Sequence, residues 1–143
     1  IFTLSVLLFT LLAFGGVGSS LSGRISSRAA CIGVALIGIL EAFVLPKVVP
    51  SLLPLSLTMR VIVAMAFIAP LGVLMGIPFP SGLRKTGQGS LPAPPFYWGL
   101  NGILSVIGSV TTVFIALLYG FQVAMIVGAT CYLIAAGTNL KEN

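Results

Sequence analysis

Histidine is absent from this chain, only two of its 143 residues are acidic, and charged residues of both signs together make up 6%. Without imidazole the chain lacks the commonest axial ligand for haem and the usual nitrogen ligand for zinc. Two cysteines do not replace it, so no metal, haem or other cofactor held by this chain alone is expected. A water-soluble domain carries roughly 25% charged residues, and a soluble fold of this length could not cover its surface with so few. Also missing are a P-loop, a GxGxxG at a strand-to-helix turn, a GxSxG and paired carboxylates. The residues given therefore house no cofactor-binding α/β catalytic domain, and no catalytic residue is assigned. Alternating polarity in ~10-residue stretches, the mark of a membrane barrel, is not found either.

What is abundant is apolar surface. Hydrophobic residues make up 58% of the chain and the mean hydropathy is +1.20. They come in long runs separated by short polar joints, and a bilayer core about 30 Å thick needs ~20 residues of helix. The expected fold is all-α, a polytopic bundle of about five transmembrane helices forming one module over residues 1–143. Its helices are expected at about 2–18, 29–45, 57–77, 96–119 and 121–136. GGVGSSLSGR closes the first run, Pro46 and Pro50 stop the second, and Pro70 lies inside the third as an expected kink. The segment Thr86 to Pro95, rich in glycine and proline, is expected to be an irregular loop.

The formal net charge of +5 is spread over several joints rather than along one face, which argues against a nucleic-acid partner. It fits the rule that positive charge collects on the cytoplasmic side. Arg24, Arg28, Arg84, Lys85 and Lys141 fall on one side of the five crossings, Lys47 and Arg60 on the other. The C-terminus is thus expected in the cytoplasm and the N-terminus outside, a placement easier to understand if an upstream portion precedes Ile1. The expected setting is the bacterial inner membrane. Cys31 and Cys131 both sit inside apolar runs, where a thiol behaves as a small hydrophobe, and no disulfide is expected.

Few side chains could carry chemistry. Glu41 is the one acid inside an apolar run, where an ionised carboxylate is costly and calls for a partner. If Pro46 ends the second helix, Glu41 and Arg60 lie at similar depth on antiparallel neighbours and are expected to form an intramembrane ion pair. Asn101, Gly102, Ser105, Gly108, Ser109 and Thr112 fall along one side of the fourth helix, a pattern expected to pack against another helix. Gly72 and Gly76 form a GxxxG on the third helix, and Gly38 with Ala42 a weaker counterpart on the second, both signs of close packing. Phe96, Tyr97 and Trp98 suit an interfacial belt. Arg24, Arg28, Arg84 and Lys85 are expected to face membrane lipids, where each cation near an anionic headgroup contributes about 1 kcal/mol.

The joint GIPFPSGLRK, residues 76–85, packs two prolines, two glycines and two cations between apolar runs. Pro78 and Pro80 bias their predecessors away from helix, so it is expected to end the third crossing as a topological stop. GIPFPSGLR, the later WGLNGILSVIGSVTTVFIALLYGFQVAMIVGATCYLIAA and the early LLFTLLAFGGVGSSLSGRI together resemble the membrane-spanning region of spermidine synthase-like, or polyamine aminopropyltransferase-like, multi-pass fusion proteins. In that family the aminopropyl transfer belongs to a soluble domain, none of whose catalytic positions occurs here. The resemblance implies a non-catalytic membrane module that serves as an anchor or assembly element, joined to a fused upstream domain or to other transmembrane subunits. A weaker similarity links SSLSGRISSR to the cytoplasmic loop of major facilitator transporters, matched at Leu21, Arg24 and Arg28 but with Gly23 where the acid would stand. Two alternatives therefore accompany the first reading. One is an accessory structural subunit of a larger membrane complex, and the other is part of a major facilitator-like small-molecule transporter with a path near Glu41, Arg60 and Asn101.

Overall fold

The computed structural model describes residues 2–86 and 94–138. Among them are six α-helices and no strand: α1 (Phe2–Leu21), α2 (Ser27–Leu52), α3 (Leu57–Met75), α4 (Pro78–Thr86), α5 (Pro94–Tyr119) and α6 (Phe121–Thr138). Five stretches are long and apolar enough to cross a membrane: Leu4–Leu21, Ser27–Leu52, Leu57–Arg84, Pro95–Tyr119 and Phe121–Thr138. The chain is therefore an all-helical, membrane-embedded module. Most of the expected loop at 87–93 lies outside the described residues, as do Lys141, Glu142 and the side chain of Lys85.

Helix starts follow the local chemistry. The Ser26 side chain accepts a hydrogen bond from Ala29 N at 3.2 Å, and that of Ser56 accepts one from Met59 N at 3.4 Å. Each serine satisfies one of the amides that a helix start leaves without a partner.

Several ends differ from those the sequence suggested. Gly15, Gly16 and Gly18 do not close α1, which runs on to Leu21. Pro46 and Pro50 do not stop α2, which carries both inside it and ends at Leu52. A proline removes one helical hydrogen bond and crowds the carbonyl four residues back. In hydrocarbon, leaving the helix would strand many more backbone groups than that, so the helix continues. The joint at 76–85 likewise does not end in an irregular stop. Gly76 caps α3 with its N–H directed to Gly72 O, and α4 begins two residues later. Pro78 and Pro80 fall in the first turn of α4, where no N–H is needed and a fixed φ favours helix.

The helices lie in a row that does not follow chain order. α1 packs chiefly on α3, α3 on α2, α2 on α6, and α6 on α5, while α4 touches both α2 and α5. The core is small, consisting mainly of Ala30, Cys31, Val34, Ala35 and Ala42 of α2, Ile77 before α4, and three alanines of α6. Between α5 and α6 stands a single residue, Gly120, with φ +90°. That left-handed conformation costs glycine little and other residues considerably more.

Candidate functional site

Close helix contact is concentrated where α1 crosses α3. A Cβ at Gly18 would stand 1.9 Å from Val73 O, and one at Gly76 2.1 Å from Gly15 O. At Gly72 it would meet Phe14 Cβ at 3.1 Å and Leu11 O at 3.3 Å. Backbone thus lies directly on backbone, a contact only glycine permits. Gly72 and Gly76 stand out in the sequence, whereas the pattern around Gly15 and Gly18 suggests the close of the first run. On α2, a Cβ at Gly38 would stand 3.7 Å from Ala129 Cβ of α6, and one at Gly33 would meet Leu74 of α3.

A second fastening ties α4 to the turn between α1 and α2. Ser81 Oγ donates to Ser22 O at 3.2 Å and to Ile77 O at 2.8 Å. Arg84 Nη2 donates to Ser22 Oγ at 2.6 Å, and Ser22 Oγ in turn donates to Ser19 O at 2.5 Å. Ser22 is buried although it sits in a turn. Arg84 also comes close to Gly23, the residue before Arg24. The two short sequences SGRISSR and SGLRK, alike on the page, are therefore neighbours in space. Arg24, Arg28 and Arg84 are exposed at this end. On α4 and α5, the rings of Phe79 and Trp98 meet edge to face with centroids 5.2 Å apart.

Glu41 and Arg60 are not brought together. The Arg60 guanidinium turns back onto the end of α2, with Nε donating to Leu55 O at 3.0 Å and Nη2 to Leu53 O. Glu41 is only 5% exposed, and among the described residues no ion pair or hydrogen bond reaches its carboxylate. The reason lies in the length of α2. With the helix continuing past Pro46, Glu41 stands twelve residues before Leu53, ~18 Å along the axis, whereas Arg60 lies in the first turn of α3. Asn101 belongs to a different region again, exposed on α5. The three residues of the transporter reading do not line one path.

The small-residue side of α5 is not covered by any of the described residues. Asn101, Gly102, Ser105, Gly108, Ser109 and Thr112 are all exposed, and a Cβ at Gly102 or Gly108 would meet nothing within 4 Å. Its hydroxyls bond to their own helix: Ser105 to Asn101 O at 2.7 Å, Ser109 to Val106 O at 2.9 Å and Thr112 to Gly108 O at 2.8 Å. An open groove of about 650 Å³ runs between α1, α3, α4 and Trp98, with Ser19 its one hydroxyl-bearing residue. Among the described residues no group of three or more histidine, cysteine, aspartate or glutamate side chains could hold a metal. Cys31 is buried and Cys131 exposed, both as free thiols.

Compared with known proteins, the chain matches no family model, no curated protein and no solved structure. Both resemblances noted above rest on the residues that carry them.

Proposed function

We propose that this chain is a non-catalytic membrane module that anchors or assembles a larger protein or complex. The observation that carries this reading is how the polar and small residues are used. Glycines press α1 onto α3, and Ser22, Ser81 and Arg84 fasten α4 to the first turn. The hydroxyls of Ser105, Ser109 and Thr112 bond to their own helix rather than converging on a cavity. Such a bundle holds a shape and presents surfaces. The resemblance of GIPFPSGLR and of the segment beginning at Trp98 to the membrane region of spermidine synthase-like proteins supports an attached soluble domain. The bare side of α5 favours a helical neighbour, as an accessory subunit of a complex would require. Exposed Arg24, Arg28 and Arg84 suit the anionic headgroups of the cytoplasmic leaflet, and a bacterial inner membrane would provide that setting.

The test is photo-crosslinking in native membranes from positions 105 and 109 of the full-length protein, with mass spectrometry of the products. An adduct to a defined transmembrane protein, or to an aminopropyltransferase-like polypeptide, supports the reading. Adducts to lipid alone from both positions overturn the assembly role.

A further inference from the structure

Glu41 is the one acid among the described residues, it is buried, and the anchoring role gives it no part. It stands fourteen residues after Ser27 and eleven before Leu52, ~21 and ~17 Å from the two ends of α2. That is the middle of the crossing. Helical steps of about 100° place it ~80° round α2 from Gly33, which faces α3, and ~60° from Gly38, which faces α6. The side chain therefore projects into the trough where α3 and α6 flank α2.

Among the described residues nothing charged answers it there. α3 contributes only Arg60, held on the carbonyls of Leu53 and Leu55. α6 contributes Cys131, which is exposed, and Tyr132, which lies at the level of Cys31, ~15 Å along α2 from Glu41. α4 contributes Arg84, engaged with Ser22, and Lys85. On α2 itself Lys47 is exposed and ~120° round the helix, and Arg28 lies at the far end. Among the described residues every fully buried side-chain oxygen has a hydrogen-bond partner. The unpartnered Glu41 carboxyl oxygens therefore keep a sliver of accessible surface while the residue as a whole is 5% exposed. Through that surface a small ion can reach the carboxylate. One residue further on, Pro46 has no N–H to give to the carbonyl of Ala42, so a backbone oxygen is also left free of its helical bond.

The geometry points to Glu41 as a binding site for one small monovalent cation, a proton or sodium, in the middle of the membrane. The carboxylate lone pair takes the cation and the side chain becomes neutral; no other bond forms or breaks. This site does not depend on the anchoring role, which crosslinking from α5 tests separately.

Dicyclohexylcarbodiimide, which enters hydrocarbon and modifies protonated carboxyl groups, is the probe. Native membranes holding the full-length protein are treated, and the Glu41 peptide is quantified by mass spectrometry against Glu41→Gln as background. A severalfold fall in labelling from mildly acidic to mildly alkaline buffer identifies a proton site. A severalfold fall on adding sodium chloride, but not choline chloride of equal ionic strength, identifies a sodium site. Either result upholds the inference. A peptide unlabelled in every buffer, or labelled alike in all of them, overturns it. So does labelling that appears only after detergent extraction, because a neighbour's cation would then have occupied Glu41.

Discussion

A glycine in an apolar run can end a helix or let another backbone touch it, and the difference is not local. Gly18→Ala and Gly76→Ala each drive a Cβ into a carbonyl oxygen of the facing helix. Each is expected to destabilise the bundle by about 1–3 kcal/mol, the usual cost of overpacking. Gly102→Ala meets open space and is expected to leave stability unchanged or raise it by up to about 1 kcal/mol through helix propensity. Thermal unfolding of the three variants in detergent checks the contrast, and equal midpoints would show that the crossing is not tight. The GxxxG at Gly72 and Gly76 was legible because its spacing is a helical one. Gly15 and Gly18 were not, since GGVGSS also spells a helix end, and only the helix lying across them decides. Glu41 stands out in the sequence for the opposite reason: an acid among apolar residues needs an explanation whatever surrounds it.

Among the elements, prolines misled the sequence reading twice and in opposite places. Pro46 and Pro50 lie late in α2, yet the helix continues because hydrocarbon offers no other partner for its backbone. Pro78 and Pro80 lie in a first turn, where they start α4 rather than stop α3. Pro46→Ala with Pro50→Ala is therefore expected to leave α2 continuous and raise thermal stability, by up to the roughly 3 kcal/mol that each proline costs inside a helix. A gain in helix content on circular dichroism equal to several residues would show instead that the prolines end the helix. Ser22→Ala and Arg84→Ala are each expected to speed amide exchange in α4 severalfold without touching α5. Unchanged exchange in α4 would mean that Ile77, the Ser81 bond to Ser22 O and the Phe79–Trp98 contact suffice to hold it. The ion pair with Arg60 failed on the same point as the proline stop: its depth matching assumed an α2 that ended at Pro46.

For the whole molecule, class and number of crossings were legible because hydropathy alone reports them. The order in which the helices pack was not. Helices apolar nearly all round carry no stripe to say which side faces a partner, so α1 lying on α3 could not be foreseen. Arg24 and Arg84 come to one end of the row, and in the proposed orientation, which follows the charge rule, that end faces the cytoplasm. Single cysteines at 24 and 54, in a background with Cys31 and Cys131 replaced, are expected to react with an impermeant maleimide from opposite faces of sealed vesicles. Labelling of both from one face would overturn the topology. The joint at Gly120 has a mechanical meaning as well. One residue of linker leaves α5 little slack, so α5 and α6 are expected to work as a bell crank whose long arm is the bare helix. A neighbour that tilts α5 must turn α6, and α6 bears on the half of α2 that holds Pro46 and Pro50, across a crevice of about 400 Å³. Spin labels should then show a fixed distance across Gly120 and a variable one from α6 to α2 when α5 is loaded; the reverse pattern would make the joint a loose hinge that transmits nothing.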